Sequence, residues 1–348
     1  MPGHSAREPV AMRVLFNNHT PFSLAHGGAQ IQTECTMQAL SQIGVPTDHF
    51  RWWDDRQSGE ILHQVGVMPL PVMRRARERG WRVVQTPLLT ETCNRSDREL
   101  FVRRLGVSAL LAVPGLRQLH DRLPWQAYRE CDLTIVGLEA ERMVLERVYG
   151  VPPERVAVVP LGLSETFLNP GPPVRTEPHL ICTGTIGPLK NSLELARLAV
   201  AAQTPMLFVG KPFDYASAYW KEFHALVDDR FVKHQPHVGN DGLVDWLRRA
   251  RGYVLMSRNE NWSLAAHEAA ACGLPMLLPD QRWSRERFGD QAAYFSKKLG
   301  DASVTALRKF YDQCPSLGAP KVRLLSWREV AEQLRGHYER LLAGRARS

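Results

Sequence analysis

Short apolar runs alternate along the chain with longer stretches in which apolar residues recur every third or fourth position. Met12 to Asn17 is an apolar run followed by polar residues and the pair Gly27-Gly28, after which Ile31 to Leu40 has helical spacing: a strand, a glycine loop and a helix. β-like runs follow at Gly59 to Val67 and Trp81 to Thr86, separated by helical patterns such as Val72 to Arg79. Leu133 to Val136 reads as a strand, Glu139 to Tyr149 as a helix, and Val156 to Pro160 closes the half. The segment Asn169 to Pro178 holds four prolines in ten residues, which suits an extended linker. Beyond it the alternation restarts, with strands at His179 to Thr183, Pro205 to Gly210, Phe231 to His234, Gly252 to Ser257 and Pro275 to Leu278. The helices between are Ser192 to Ala202, Tyr215 to Val227, Asp241 to Ala250 and Leu264 to Cys272. Alternation of this kind predicts parallel sheets covered on both faces. The expected fold class is therefore α/β: two tandem Rossmann-like, doubly wound domains over residues 12–168 and 179–325, joined by the linker 169–178. Residues 1–11 are expected to be flexible. The amphipathic pattern from Ser326 to Leu342, within the closing segment 326–348, is long enough to cross back onto the first domain, and the last residues should fray.

A chain of 348 residues fits two domains of average size. With 44% hydrophobic and 23% charged residues, and no apolar run near 18 residues, it reads as soluble. Met1 to Pro9 is polar and lacks the apolar core of a signal peptide, so a cytoplasmic location is expected. The six cysteines lie without any C-x-x-C pair, excluding the spacing of a thiolate zinc site and reading as reduced packing residues. The net charge of +8 is clustered: Arg74 to Arg104 holds nine arginines against four acids. That cluster reads as a solvated helix face, or as a surface for an anionic lipid or acidic acceptor in which Arg74, Arg75, Arg77 and Arg79 are the candidate residues. No aromatic-basic interleaving supports a nucleic acid partner.

In open α/β sheets ligands bind outside the carboxyl ends of the strands, so two facing domains create a cleft lined by loops. The strongest candidate is Ser257 to Pro275 (SRNENWSLAAHEAAACGLP), directly after a strand. Ser263 is placed as N-cap of an alanine-rich helix that Gly273 and Pro275 stop. A helix N-terminus at a strand end offers free N–H groups to a diphosphate. Glu260 before the helix and Glu268 inside it, seven residues between them, suit a hydroxyl-rich ligand; the competing reading is that they complement the helix dipole.

Glu260 and Glu268 in this frame resemble the Glu-x₇-Glu signature of GT-B fold retaining glycosyltransferases, glycosyltransferase family 4 (glycosyl transferases group 1). The likeness continues in MRVLFN with Gly27-Gly28, in CDLTIVGLEAERMVLERVYGVPPERVAVVPLGL, in CTGTIGPLKN and in SWREVAEQL. The resemblance implies that Glu268 binds the donor ribose and Glu260 the transferring sugar. It implies that Lys190 neutralises the departing diphosphate, helped by N–H groups of Ser263, Leu264 and the Gly27-Gly28 loop. Gly184, Asn261 and Trp262 belong to the same donor-binding motifs, and base contacts are expected from backbone near Gly210 and Val238. Lysine and helix termini can stabilise the leaving group without a metal, so neither metal nor other cofactor is expected. The acid pairs Asp54-Asp55 and Asp228-Asp229 lack a third ligand nearby in sequence.

The chain also departs from the family. Thr185 and Ile186 stand where many members carry an arginine; Thr86-Pro87-Leu88 replaces a Thr-x-His; Asn261 and Trp262 follow the first glutamate in place of a glycine. His63, at an earlier strand end, is either a substitute for the missing histidine or a packed neutral residue. The expected function is transfer of a hexose from a UDP- or GDP-sugar to a carbohydrate or lipid-linked acceptor of envelope polysaccharide biosynthesis, with peripheral membrane contact. The alternatives are a catalytically impaired nucleotide-sugar scaffold and a nucleotide-sugar epimerase; product analysis separates the three.

Overall fold

The computed structural model describes residues 12–18, 22, 27–113, 122–172, 174–236, 238–296 and 300–344. The expectations for residues 1–11 and for the last four lie outside these. Two six-stranded sheets, each parallel throughout, form the molecule. The first contains β1 (Val14–Asn18), β2 (Thr47–His49), β3 (Ile61–Val65), β4 (Arg82–Thr86), β5 (Leu133–Val136) and β6 (Val156–Val158) in the order β2-β1-β3-β4-β5-β6. The second contains β7 (Leu180–Thr183), β8 (Met206–Val209), β9 (Val232–Gln235), β10 (Gly252–Val254), β11 (Met276–Pro279) and β12 (Ala293–Phe295) in the order β12-β11-β10-β7-β8-β9. The order of progression reverses between β1 and β3 in the first sheet and between β7 and β10 in the second, which creates a crevice at the carboxyl ends of each pair. Every residue of β3, β5, β7, β8, β10 and β11 is buried, as expected of strands with both faces covered.

The segment between the domains has no regular element from Asn169 to Gly171 or from 174 to His179. A second crossing runs beside it. Leu163 N–H donates to Leu325 O at 2.8 Å, and Leu163 bridges Ser326. Ser326 caps the closing helix Trp327–Ala343 in a reciprocal box with Glu329. That helix returns to the first domain: Val330, Ala331, Leu334 and Tyr338 line its buried face and share a core with Val14, Phe16, Ala39 and Leu40.

The structure adds elements that the pattern does not mark: the edge strands β2 and β12, and the helices Asp97–Ala112, Arg282–Phe288 and Asp301–Gln313. The helix predicted from Ile31 begins at Gly28, and the one predicted over Tyr215 to Val227 is trimmed to Ala218–His224, where the Ser217 hydroxyl accepts from Trp220 N–H at 3.2 Å.

Candidate functional site

The site is built where β7 and β10 part. After β7, Gly184 turns the chain with φ +127°, and the loop ends at Asn191, whose left-handed φ of 58° opens the helix Ser192–Ala201. A side chain at Gly210, after β8, would place its Cβ 2.0 Å from Gly184 O, so the two strand ends touch through bare backbone. After β10 the chain runs from Leu255 to Ser263 before the helix Leu264–Ala271, and Ser263 Oγ accepts from Ala266 N–H at 3.3 Å. The loops are laced together: Arg258 N–H donates to Leu189 O at 2.9 Å, and Gln281 Nε2 donates to the carbonyls of Ser257 and Arg258 at 3.0 and 2.7 Å.

This lacing brings Lys190 Nζ onto Glu260 Oε1 in a largely sheltered ion pair. Glu268 lies within the following helix and keeps partial exposure. Among the described residues its carboxylate has no hydrogen-bond partner, and burial pushes its pKa up to about 7 against the opposing pull of Lys190. One cation, one paired carboxylate and one unpaired carboxylate thus sit beside a helix N-terminus at a strand-order reversal, a place suited to an anionic, hydroxyl-bearing ligand.

The first domain supports this loop from the opposite side. Asn94 Nδ2 donates to the Glu260 carbonyl oxygen. Asn261 Nδ2 donates at 3.2 Å to Glu141 Oε1, and the same buried carboxylate accepts from Leu89 N–H at 3.2 Å and Gly137 N–H at 3.0 Å. Burial raises the Glu141 pKa while these donors oppose the rise. Sequence reasoning missed Glu141 and Asn94, and also Glu286 of the second domain, whose carboxylate accepts from Glu139 and Ala140 N–H at 2.8 and 2.9 Å. For Glu141 a signal existed: it falls with Val144, Leu145 and Val148 at helical spacing on an apolar stripe, where an acid is out of place unless it is hydrogen-bonded.

Other sequence-predicted residues take varied positions. Trp262 is a core side chain: it stacks on His267 at 4.3 Å with 5° between the planes, has the Arg287 guanidinium over its ring at 4.3 Å, and leaves so little room beside Gly137 of the first domain that a Cβ there would lie 3.4 Å from its ring. The residue is 6% exposed, in the core cluster that includes Leu138, Ala140 and Ala266. Leu264 packs into the cores of both domains. Val238 is partly buried against Gly242. Gly27 has φ +146° and caps the helix Gly28–Gln42 without a side chain. His63 is the packed alternative: Nδ1 meets Tyr338 OH at 2.6 Å, Nε2 meets Thr86 Oγ1 at 2.9 Å, and burial pushes its pKa down to about 3, so it stays neutral. Leu88 occupies the left-handed region at φ 55° where the family's histidine would stand.

Asp54 pairs with Arg51, and Asp228 accepts from three backbone N–H groups of its own turn. Among the described residues no group of three or more His, Cys, Asp or Glu side chains gathers as a metal cluster. In the helix Leu70–Glu78 and after it, Arg74 forks onto Glu130 at 2.8 and 3.0 Å, Arg75 pairs with Glu78 at 2.8 Å, and Arg77 reaches Asp132 at 3.4 Å, while Arg79 is exposed.

No family model matches the sequence. The D-inositol 3-phosphate glycosyltransferase of Streptomyces bingchenggensis is 32% identical over 175 residues, 43% of this chain and 38% of that protein. Its counterpart in Gordonia bronchialis is 30% identical over 191 residues, 49% of this chain and 41% of that protein. The matches span about two fifths of these relatives' length. Among solved structures, a sucrose-phosphate synthase from Thermosynechococcus elongatus superposes with a TM-score of 0.66 at 16% identity, covering 95% of this chain and 99% of that one. Anabaena HepE in complex with UDP-glucose superposes with a TM-score of 0.60 at 14% identity, covering 97% of this chain and all of the other (100%). Two Rossmann-like domains with a returning closing helix define a GT-B protein. The sequence similarity, over the stretches given above, is to D-inositol 3-phosphate glycosyltransferases.

Proposed function

We propose that this chain is a retaining, metal-independent glycosyltransferase that moves a hexose from a nucleoside diphosphate donor to an acceptor that is lipid-linked or otherwise anionic. The observation that carries the reading is the Lys190–Glu260 pair with the unpaired Glu268 carboxylate at the reversal between β7 and β10. Glu268 accepts from the ribose hydroxyls and Glu260 from the sugar. When the donor enters, Lys190 exchanges part of its pairing with Glu260 for the diphosphate, whose charge grows as the glycosidic C–O bond breaks. The acceptor oxygen bonds to the anomeric carbon on the face the diphosphate leaves, and its proton passes to the departing phosphate oxygen. Asn261 orients the Glu260 loop through Glu141 rather than touching the donor itself. HepE bound to UDP-glucose, a structural neighbour, supports a sugar nucleotide as donor.

Calorimetry with UDP, GDP, ADP and TDP and their sugar conjugates tests this. One nucleotide is expected to bind, with affinity reduced by about tenfold or more in Glu268→Ala, since a charged hydrogen-bond acceptor is lost. Absence of binding by any of them refutes the donor assignment. The scaffold reading draws on one observation, the engagement of His63 by Tyr338 and Thr86 away from any free role. Nucleotide binding without sugar transfer to any acceptor extract decides for it.

A further inference from the structure

The helix Asp97–Ala112 has two apolar faces. One, with Leu100, Val107, Leu110 and Leu111, packs into the first domain. At 100° per residue the other carries Phe101, Val102 and Leu105, continued by Ala109 and Ala112. Phe101, Val102 and Leu105 are 57%, 61% and 54% exposed. Arg98 lies on this face and Arg104 at its edge; both are exposed, and among the described residues neither forms an ion pair. From Leu100 to Val113 there is no acid, and the two acids of the first turn are engaged, Asp97 by Arg282 and Glu99 in the Ser96 capping box.

We infer that this face docks on an anionic lipid bilayer, with Phe101, Val102 and Leu105 below the headgroups and Arg98 and Arg104 on the phosphates. A second copy of the chain fits poorly, because a two-fold contact would set the same unpaired arginines against each other. The position supports the lipid: Asn94, three residues before the helix, holds the Glu260 carbonyl, and Arg282 ties Asp97 to the second domain, so the bilayer would lie beside the mouth of the cleft. The inference rests on the proposed lipid-linked acceptor. It also moves the membrane contact away from Arg74, Arg75 and Arg77, which pair with Glu130, Glu78 and Asp132, the last shared with Arg82.

Vesicle flotation of the full chain tests the assignment. The wild type is expected to float with phosphatidylcholine vesicles containing one third phosphatidylglycerol and not with phosphatidylcholine alone. Phe101→Ser with Leu105→Ser lowers the partition coefficient at least about tenfold, and Arg98→Gln or Arg104→Gln about fivefold each. Reversal of Arg74, Arg75, Arg77 and Arg79 to glutamate leaves it within about twofold. Nucleotide calorimetry on the same variants is expected to be unchanged, which shows that they fold. A wild type that floats but binds no nucleotide refutes the donor site and not this surface. Wild type remaining in the aqueous fraction overturns the inference, as does flotation that survives loss of Phe101 and Leu105. Sedimentation showing a dimer that the same substitutions abolish, without flotation, gives the face to a second copy and also overturns it.

Discussion

At the scale of single residues the informative group is Glu268. Burial raises its pKa from 4.5 to about 7, above that of a glutamate in the unfolded chain. The folded chain therefore holds the extra proton between those values, and its stability falls as pH rises through that window, because the partly buried carboxylate must then carry charge. The donor binding proposed for Glu268 draws on the ionised form, since a carboxylate accepts hydroxyl protons better than a carboxylic acid does. Between pH 8 and pH 6 the ionised fraction about such a pKa falls roughly tenfold, and nucleotide affinity is expected to weaken by about that factor. The Glu268→Gln protein should lack this component, while titration of the nucleotide's own phosphate is common to both proteins and cancels in the comparison. Calorimetry across the range reads it; superposable profiles would remove Glu268 from the ribose. The local frames that hold Glu260 and Lys190 are recognisable in the sequence, and the fold brings the two side chains together as an ion pair. The same frame does not report that the Trp262 side chain stacks on His267 and lies under Arg287. Glu141 acts across 120 positions of chain, a distance at which no local pattern reports a partner.

At the scale of elements, legibility follows from how each one buries its surface. Strands with both faces covered, such as β7 and β8, stand out as apolar runs. The edge strand β2 is three residues, Thr-Asp-His, none of them buried, and has no such run. The helix Asp97–Ala112 lacks a clear amphipathic signal for the opposite reason, since apolar residues occupy two faces and blur the period. The closing helix is plainly periodic, yet its docking depends on one residue outside it. A Cβ at Gly162 would lie 2.6 Å from Trp327 N and 2.7 Å from Trp327 Cα, backbone atoms of the helix start that cannot rotate aside. Gly162→Ala is expected to lower stability by about 1–3 kcal/mol by forcing the two crossings apart. Chemical denaturation followed by tryptophan fluorescence reads this directly; a midpoint equal to the wild type would show that the crossings yield without cost.

At the scale of the whole molecule, two chain crossings join the domains, and a polar latch holds their facing surfaces. Glu286 of the second domain accepts from Glu139 N–H at 2.8 Å and Ala140 N–H at 2.9 Å, placing a carboxylate on the N-terminus of a first-domain helix. Arg282, one turn earlier, reaches Asp97 at 2.7 Å and Arg95 O at 3.0 Å. Asp97 is almost fully exposed, so that pair contributes little by itself. The Glu286 contact is charge-assisted and bidentate, and removing it leaves two helix N–H groups without their partner. Since Lys190 and Glu260 lie in the second domain while Asn94 and Glu141 hold their loop from the first, the proposed donor site takes the form seen here only when the domains meet. A protein whose closed state is less populated binds with an affinity reduced by the closed fraction. Glu286→Ala is therefore expected to enlarge the radius of gyration in solution scattering and to weaken nucleotide binding by roughly threefold to tenfold, the equivalent of one charge-assisted contact. Saturating nucleotide should return the variant to the wild-type radius, because a ligand that prefers the closed state shifts the population toward it. An unchanged radius together with unchanged affinity would mean that the packing of Trp262 and Leu264 between the domains is sufficient to keep the cleft closed without the latch.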